Sequence, residues 1–151
     1  NCIYQADGLA MYAGSRTRWI TPEQDNAGFA RWALNNRDEL MRLGIGHHFG
    51  EWWGTGIQRR YGLSEKRFSL FNVDRCGDDS VRPGCCLTVP VLYRGEFHTD
   101  AIDAMLRSLE ETGSQAAPGF MNPEGIVVWH VAARVGFKKT LGDDGHKGAN
   151  R

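Results

Sequence analysis

Net charge and long hydrophobic runs are the two features that this sequence lacks most clearly. Its 18 lysine and arginine residues are balanced by 18 aspartate and glutamate residues, whereas a protein that coats nucleic acid without regard to sequence is usually basic. No apolar run approaches the roughly 20 residues that a membrane-spanning helix needs. The composition therefore argues against a long polyanion-binding track and against a membrane protein.

The sequence also lacks any Cys-x-x-Cys pair. The four cysteines are Cys2, Cys76, Cys85 and Cys86. A zinc site could combine the last three with His98, but the spacing matches no common set of zinc ligands. We therefore expect reduced thiols in a cytoplasmic protein, and the zinc site stays open as a distant alternative.

The cations, by contrast, are grouped along the chain. Short clusters on a neutral background suit a site for a few phosphate groups, although each cluster could equally be solvated surface. The clusters are Arg16/Arg18, Arg59/Arg60, Lys66/Arg67 and Lys138/Lys139.

The length and the hydrophobic pattern predict a single α+β domain over residues 1–151. Residues 1–14 have the pattern of a hairpin with its turn at Ala6-Asp7-Gly8. Thr21-Pro22-Glu23 is typical of a helix start. The apolar residues that follow keep helical spacing up to Gly44, with a break expected at Asn35-Asn36.

The rest of the chain alternates between predicted strands, loops and one amphipathic helix. The helix begins at Thr99-Asp100 and ends at Gly113. Pro90 should place its own strand at a sheet edge or a bulge. The predicted strands are Phe49–Trp53, Phe68–Val73, Leu87–Tyr93, Glu124–Val131 and a last one through Val135, Phe137 and Leu141, with loops over 75–86 and 114–123 and a polar tail over 142–151.

Four short segments carry residue types that a nucleotide site needs. They offer a carboxylate between a glycine and two tryptophans, an aromatic residue beside cations, and a Glu-Gly start to an apolar strand. The segments are Ser15-Arg16, Phe49-Gly50-Glu51, Lys66-Arg67-Phe68, and Glu124-Gly125-Ile126-Val127-Val128 with Lys138-Lys139 after it. In this order and with these gaps they resemble the nucleotidyltransferase motifs of covalent ATP-dependent ligases.

The surrounding sequence is similar to the RNA ligase family of phages and bacteria over most of the chain. The similarity lies in the segments 14–19, 48–54, 56–59 and 66–72. It implies the adenylylation domain of the covalent nucleotidyltransferase fold, with antiparallel sheets flanked by helices. It also implies ATP and Mg²⁺ (or Mn²⁺) as cofactors, and RNA or nicked nucleic-acid ends as partners.

The resemblance further implies a three-step reaction. A lysine amine attacks the α-phosphorus of ATP and expels pyrophosphate, which leaves AMP on the enzyme as a phosphoramidate. The AMP then moves to a 5′-phosphate end, and a 3′-hydroxyl displaces it to form a phosphodiester. Cations and a divalent metal stabilise the charge that gathers on the phosphoryl oxygens.

The family roles transfer to individual residues of this chain. Glu51 matches the carboxylate that contacts the ribose, and Phe68 matches the aromatic residue that stacks on adenine. Glu124 matches the carboxylate near the lysine and the metal. Lys138 matches the lysine that binds the α-phosphate, and Arg16 matches the arginine that contacts the nucleotide and the nucleic-acid end.

Further cations are candidates on weaker grounds. Related ligases often place two lysines one residue apart in the last motif, whereas this chain has Thr140 after Lys138 and Lys139. Lys139 could substitute as a nucleotide contact. We also expect contacts with nucleic-acid phosphates from Arg18, Arg59 and Arg60.

Structural roles compete with these assignments. Phe68 could be a core residue of its strand, and Lys138 and Lys139 could form a solvated strand end. Trp52 and Trp53 are more typical of core and groove-lining positions than of ligand contacts.

The nucleophile of the family is missing from these residues. It lies in a Lys-x-Asp-Gly motif, and the sequence contains none. Gln5-Ala6-Asp7-Gly8 imitates the motif, but glutamine cannot form the lysyl adduct and the segment is too close to Ser15. We therefore expect a chain truncated before Asn1 that does not self-adenylylate. The alternative function is a non-catalytic module that binds a nucleotide or an RNA end.

Overall fold

The structure is a computed structural model that describes residues 1–142. It contains helices together with antiparallel and mixed sheets, which confirms the α+β class. The chain divides into two compact units, Asn1–Val89 and Pro90–Arg151, and its organisation as one domain stays a prediction. No helix among the described residues is both long and apolar enough to cross a membrane.

A six-stranded sheet organises the first unit. Its strands are β1 (Cys2–Gln5), β2 (Met11–Gly14), β3 (Trp19–Ile20), β4 (Gly46–Gly54), β5 (Lys66–Leu70) and β6 (Leu87–Thr88). They lie in the order β3-β2-β1-β4-β5-β6, and every neighbouring pair is antiparallel except β5 and β6. The longest strand, β4, therefore lies inside the sheet between β1 and β5.

Short helices connect β3 to β4. They are α1 (Phe29–Asn35), α2 (Arg37–Leu40) and a 3-10 turn (Met41–Leu43). The expected break at Asn35-Asn36 is confirmed, because Asn36 lies outside both helices. The side chain of Asn36 donates a hydrogen bond to the carbonyl oxygen of Trp32 at 2.8 Å, and this bond supports the end of α1.

The predicted helix start at Thr21 is wrong, because the first helix begins at Phe29. The carboxylate of Asp25 accepts hydrogen bonds from the backbone N–H groups of Ala30 at 2.7 Å and Arg31 at 3.1 Å. These donors have no partner within the helix. Burial alone would raise the pKa of Asp25, but these backbone bonds bring the pKa below its ordinary value.

The first hairpin is confirmed, with β1 paired to β2. The Asp7 side chain closes its turn by accepting hydrogen bonds from the backbone of Leu9 and Ala10, both at 2.9 Å. Gln5 is buried and donates to the carbonyl oxygen of Leu40 at 2.7 Å. The Gln5-Ala6-Asp7-Gly8 segment is therefore a strand end and a turn, as we expected.

One face of the sheet and the helices enclose the core of the first unit. Aromatic rings dominate it, and Phe29 packs against Trp32, Trp52 and Phe68 with centroid distances of 5.6, 5.4 and 4.9 Å. The buried apolar cluster comprises Ile3, Ala13, Ile20, Phe29, Ala30, Ala33, Leu40, Leu43, Trp52, Phe68, Leu70, Cys76 and Cys86.

The segment predicted as a surface loop over 75–86 is partly buried. A short helix, α3 (Val73–Cys76), begins where the preceding strand was expected to continue. Cys76, Pro83 and Cys86 are all buried. The following strand β6 ends at Thr88 and lies at the sheet edge, because Pro90 has no N–H group with which to continue the ladder.

The second unit contains a helix and a hairpin. Helix α4 (Thr99–Thr112) ends at Gly113 as predicted. Strands β7 (Gly125–His130) and β8 (Val135–Thr140) form a two-stranded antiparallel sheet and confirm the last two predicted strands. Of the predicted polar tail, residues 143–151 lie outside the described residues.

Candidate functional site

Glu51 lies on the open face of the six-stranded sheet. Side chains alternate between the two faces of a strand, so His48, Gly50 and Trp52 are buried on the core face of β4 while Glu51 faces away. The residue is exposed and is paired with Ser69 on β5. The sheet thus holds a single carboxylate where a ligand can reach it.

Phe68 lies on the opposite, core face of the sheet. Only 1% of the residue is exposed, and its ring contacts Phe29 and Trp32 at centroid distances of 4.9 and 5.5 Å. A Cβ atom on Gly50 would lie 2.7 Å from the same ring. The position of Phe68 agrees with the alternative from the sequence analysis, in which Phe68 is a core residue of its strand. Adenine stacking on Phe68 stays a prediction, and it would require the ring to leave the core.

Five rings on the open face form a cluster that the sequence analysis missed. We call this cluster the aromatic row, and it consists of Tyr4, Tyr12, Trp19, His47 and Phe49. The rings of Tyr4 and His47 stack at a centroid distance of 4.3 Å. His47 and Phe49 are nearly parallel at 5.8 Å, and Trp19 lies 5.8 Å from Tyr4. The alternation of aromatic and buried positions in β1, β2 and β4 could have predicted the row.

Arg16 and Arg18 lie in the tight turn between β2 and β3, the basic turn (Ser15–Arg18). Ser15 closes it, since its backbone N–H donates to the carbonyl oxygen of Arg18 at 2.9 Å and its hydroxyl accepts from the Arg18 N–H at 3.3 Å. Both arginines are exposed, and with Asn26 the turn lines an open cleft of about 300 Å³. The two predicted phosphate contacts are therefore brought together, next to Trp19 of the aromatic row.

Arg59 and Arg60 lie in the loop between β4 and β5. Both residues have positive φ angles, of 68° and 52°, and Tyr61 follows with 52°. Three consecutive non-glycine residues in this region cost conformational energy. The Tyr61 ring contacts Trp53 at 5.3 Å and anchors the loop. The structure holds the arginines in a strained loop, and their phosphate contacts stay a prediction.

The third cation cluster makes contacts within the first unit. Lys66 donates a hydrogen bond to the carbonyl oxygen of Ala27 at 2.8 Å. Arg67 forms an ion pair with Glu65 at 2.7 Å, and its guanidinium carbon lies 5.9 Å from the centroid of a Trp53 ring. These two residues therefore have structural partners.

Glu124 and Lys138 form an ion pair in the second unit. The Lys138 amine donates to the Glu124 carboxylate at 2.5 Å. Lys138 is paired with Val127 across the hairpin, and the Val127 side chain is exposed. Two predicted catalytic residues are thus in direct contact on an accessible face of the hairpin.

Lys139 faces the other way from Lys138, because consecutive strand residues alternate. Its amine pairs with the carboxylate of Asp103 on α4 at 2.7 Å. This hydrogen bond and charge hold the pKa of Asp103 below its ordinary value. The two lysines therefore do not share one face, and the nucleotide contact of Lys139 stays a prediction.

Metal ligands are sparse in the part of the chain that the structure describes. Within residues 1–142, no group of three or more His, Cys, Asp or Glu side chains could hold a metal ion. The distant zinc alternative thus gains no support. The sulfur atoms of Cys85 and Cys86 lie 3.9 Å apart. Contact with Cys86 lowers the pKa of the Cys85 thiol.

Comparisons with known proteins give partial matches to two relatives. The chain is 36% identical over 52 residues to a protein described as protein nucleotidyltransferase YdiU from Pectobacterium atrosepticum, and equally so to its counterpart from Pectobacterium carotovorum subsp. carotovorum. The match covers 34% of this chain and 11% of each relative. No family model and no solved structure matches the chain.

Proposed function

We propose that this chain is the nucleotide-binding part of a nucleotidyltransferase of the RNA ligase type. The whole enzyme joins a 5′-phosphate to a 3′-hydroxyl end through an enzyme–AMP intermediate; residues 1–151 bind the ATP, and the nucleophilic lysine is not among them. The order of the motifs, the α+β architecture and the partial match to two nucleotidyltransferases support the proposal. The observation that carries it is the exposed carboxylate of Glu51 on a sheet face lined with aromatic rings.

Each part of this face suits one part of a nucleotide. The Glu51 carboxylate can accept hydrogen bonds from ribose hydroxyls, and charge-assisted hydrogen bonds of this kind are the stronger ones. The Phe49 ring, two residues earlier on the same face, is 57% exposed and can stack on adenine without rearrangement. The guanidinium groups of Arg16 and Arg18 can bind phosphate oxygens.

The second unit carries the lysine and the carboxylate that the resemblance assigns to the α-phosphate and the metal. Lys138 can neutralise charge on the α-phosphate, and its ion pair with Glu124 holds both groups in place. Mg²⁺ is usually bound by one or two carboxylates together with phosphate oxygens and water. Glu124 fits as the protein ligand of a metal that arrives with the nucleotide. Such a metal would stabilise developing charge on the phosphate.

Nucleotide binding can be tested at Glu51. We expect Glu51→Gln to weaken AMP binding about 10- to 100-fold, because a hydrogen bond to a charged group contributes about 1.5–3 kcal/mol. Isothermal titration calorimetry would measure the affinity. Glu23→Gln is the matched control, since Glu23 is an exposed glutamate of the same unit outside the strands. Equal AMP affinity in Glu51→Gln and the parent would contradict the proposal.

The acceptor can be tested with α-³²P-labelled ATP, Mg²⁺ and a 5′-phosphorylated RNA. When an N-terminal extension that carries a Lys-x-Asp-Gly motif is supplied, we expect the label on the RNA end, whereas the name of the two relatives points to a protein acceptor. The 151-residue chain has no Lys-x-Asp-Gly motif, so we expect no labelled adduct on the chain itself. A stable adduct on this chain would overturn that expectation.

A second candidate is a non-catalytic module that binds a nucleotide or an RNA end. Within residues 1–151, the resemblance transfers residues that bind but no nucleophilic lysine. The two candidates differ in one outcome. A module of this kind would bind AMP through Glu51 but would never support transfer of the label, even when a ligase motif is supplied at its N-terminus.

A further inference from the structure

Four rings of the aromatic row are not needed for a single adenine at Phe49. They are Tyr4, Tyr12, Trp19 and His47, which occupy β1, β2, β3 and β4. Neighbouring centroids among these four rings are 4.3–6.3 Å apart. Trp19 is 55% exposed and Tyr12 is 50% exposed. The row is thus a continuous, solvent-exposed aromatic surface across four strands. Exposed apolar patches of this kind usually mark an interaction site.

The composition of this surface indicates what kind of partner it fits. All four side chains are flat rings, and each carries a polar group at its edge: the two tyrosine hydroxyls, the indole N–H of Trp19 and the imidazole nitrogens of His47. Nucleobases are flat and carry polar edges, and each has a face that stacks on an aromatic side chain. A surface made for a nonpolar protein helix would be expected to include aliphatic residues, which this row lacks.

The charge next to the row complements a polynucleotide. The basic turn leads directly into Trp19, and both Arg16 and Arg18 are exposed. Cations beside stacking rings are the usual combination in proteins that bind single strands. Ser15 closes the turn through its bonds to the Arg18 backbone, so the turn that carries both arginines ends immediately before Trp19.

We propose that the aromatic row binds the unpaired bases of a single-stranded RNA end. The basic turn binds the phosphates of the same strand. Bases in a duplex stack on each other and leave no free faces for the rings, so the row selects an unpaired strand over a paired one. This proposal names the substrate class of the proposed ligase and rests on that function for its biological meaning.

Direct binding measurements test the proposal. A fluorescein-labelled, 5′-phosphorylated RNA of about a dozen nucleotides is titrated with the protein and followed by anisotropy, alone and annealed to its complement. We expect tighter binding to the single strand. Trp19→Ala should weaken that binding about fivefold to a hundredfold, because stacking of one base contributes an effect of this size, and Trp19→Phe should retain most of it.

Tyr12 offers a matched pair for this measurement. Tyr12→Ala should also weaken binding, whereas Tyr93→Ala should not, since Tyr93 is a tyrosine of similar exposure, 47%, outside the row. Circular dichroism would confirm that each variant is folded. Equal affinity for single strand and duplex, or unchanged affinity in a folded Trp19→Ala variant, would overturn the proposal.

Two further outcomes separate this proposal from the proposed function. If Trp19→Ala abolishes a dimer in sedimentation and the parent binds no RNA, the row is a contact between copies and the proposal fails. If AMP binding through Glu51 persists while RNA binding does not depend on the row, only this inference fails. If the row binds RNA but Glu51→Gln leaves AMP affinity unchanged, only the proposed nucleotide site fails.

Discussion

The two faces of the six-stranded sheet are both aromatic, yet the rings on each face have different environments. On the core face, Phe68 and Trp52 are covered by the helix residues Phe29 and Trp32. On the open face, Trp19 and the rest of the aromatic row contact mainly one another and solvent. The same residue types therefore stabilise the fold on one face and remain available to a ligand on the other.

The difference teaches that consecutive residues of one motif can have unrelated roles. In β4, His47, Phe49 and Glu51 face out, while His48 and Gly50 face in. The motif is continuous in the sequence, but consecutive side chains of the strand point to opposite faces of the sheet. A substitution at one position should therefore affect folding, and one at the next should affect binding.

The largest expected effect is on the free energy of unfolding at Phe68. Phe68→Ala should lower it by about 3–5 kcal/mol, because the substitution removes a buried ring and leaves a cavity. Phe49→Ala should change it by about 0.5 kcal/mol at most, as is usual for exposed positions. Urea denaturation of both variants would measure this contrast. A similar loss in both would contradict the division between the faces.

The second effect is the pH dependence of stability at His48. Burial lowers the pKa of His48. The hydrogen bond to the Gly44 carbonyl oxygen opposes this shift, and the nearby charges of Arg75 and His47 add smaller amounts to it. The unfolded state then binds the proton more readily, so the free energy of unfolding falls as pH drops below about 6.5, at no more than about 1.4 kcal/mol per pH unit.

The adjacent histidine provides the control for this effect. His48→Gln should reduce the pH dependence between pH 7.5 and 5.5, whereas His47→Gln on the open face should keep it. Urea midpoints measured across this range would show the difference. If the His47 variant loses the slope and the His48 variant keeps it, the assignment of the two faces is reversed.

The smallest effect concerns the two lysines of β8, whose side chains point to opposite faces of the hairpin. Lys139→Met should raise the pKa of Asp103 toward its ordinary carboxyl value, while Lys138→Met should leave it unchanged, because only Lys139 pairs with Asp103. NMR titration of the Asp103 carboxyl would measure both. The stabilisation from this pair is present above the ordinary carboxyl pKa and is lost as pH falls. An equal response to both substitutions would show that the lysines share a face.

Much of the fold could be predicted from local pattern. The apolar, β-branched run of β7 and the helical spacing of α4 identified both elements, and the two asparagines marked the break before α2. The start of α1 was missed because the carboxylate that accepts from its first N–H groups belongs to Asp25, three residues before the N-cap residue Gly28. The carboxylate of Asp25 accepts hydrogen bonds from Ala30 and Arg31. The local pattern at Thr21-Pro22 does not predict a contact of this kind.

The candidate site was only partly predictable for a similar reason. A motif identifies residue types, but the side of the sheet on which each lies depends on strand register. Register sent Phe68 to the core and brought Tyr4 and His47 together from strands 43 residues apart in sequence. It also separated Lys138 from Lys139. Pairing between distant strands decides such positions, and a single sequence does not specify it locally.

Gly50 has a consequence for how selection acts on this motif. Any larger residue there would press on the Phe68 ring and on the carbonyl oxygen of Ser69, so mutations at Gly50 would be purged for reasons of folding alone. Conservation of glycine at position 50 would therefore reflect packing in the core, even though the residue is next to Glu51. Phe49 is exposed and is not under this packing constraint. Conservation or change of the amino acid at position 49 would therefore reflect the ligand that each related protein binds.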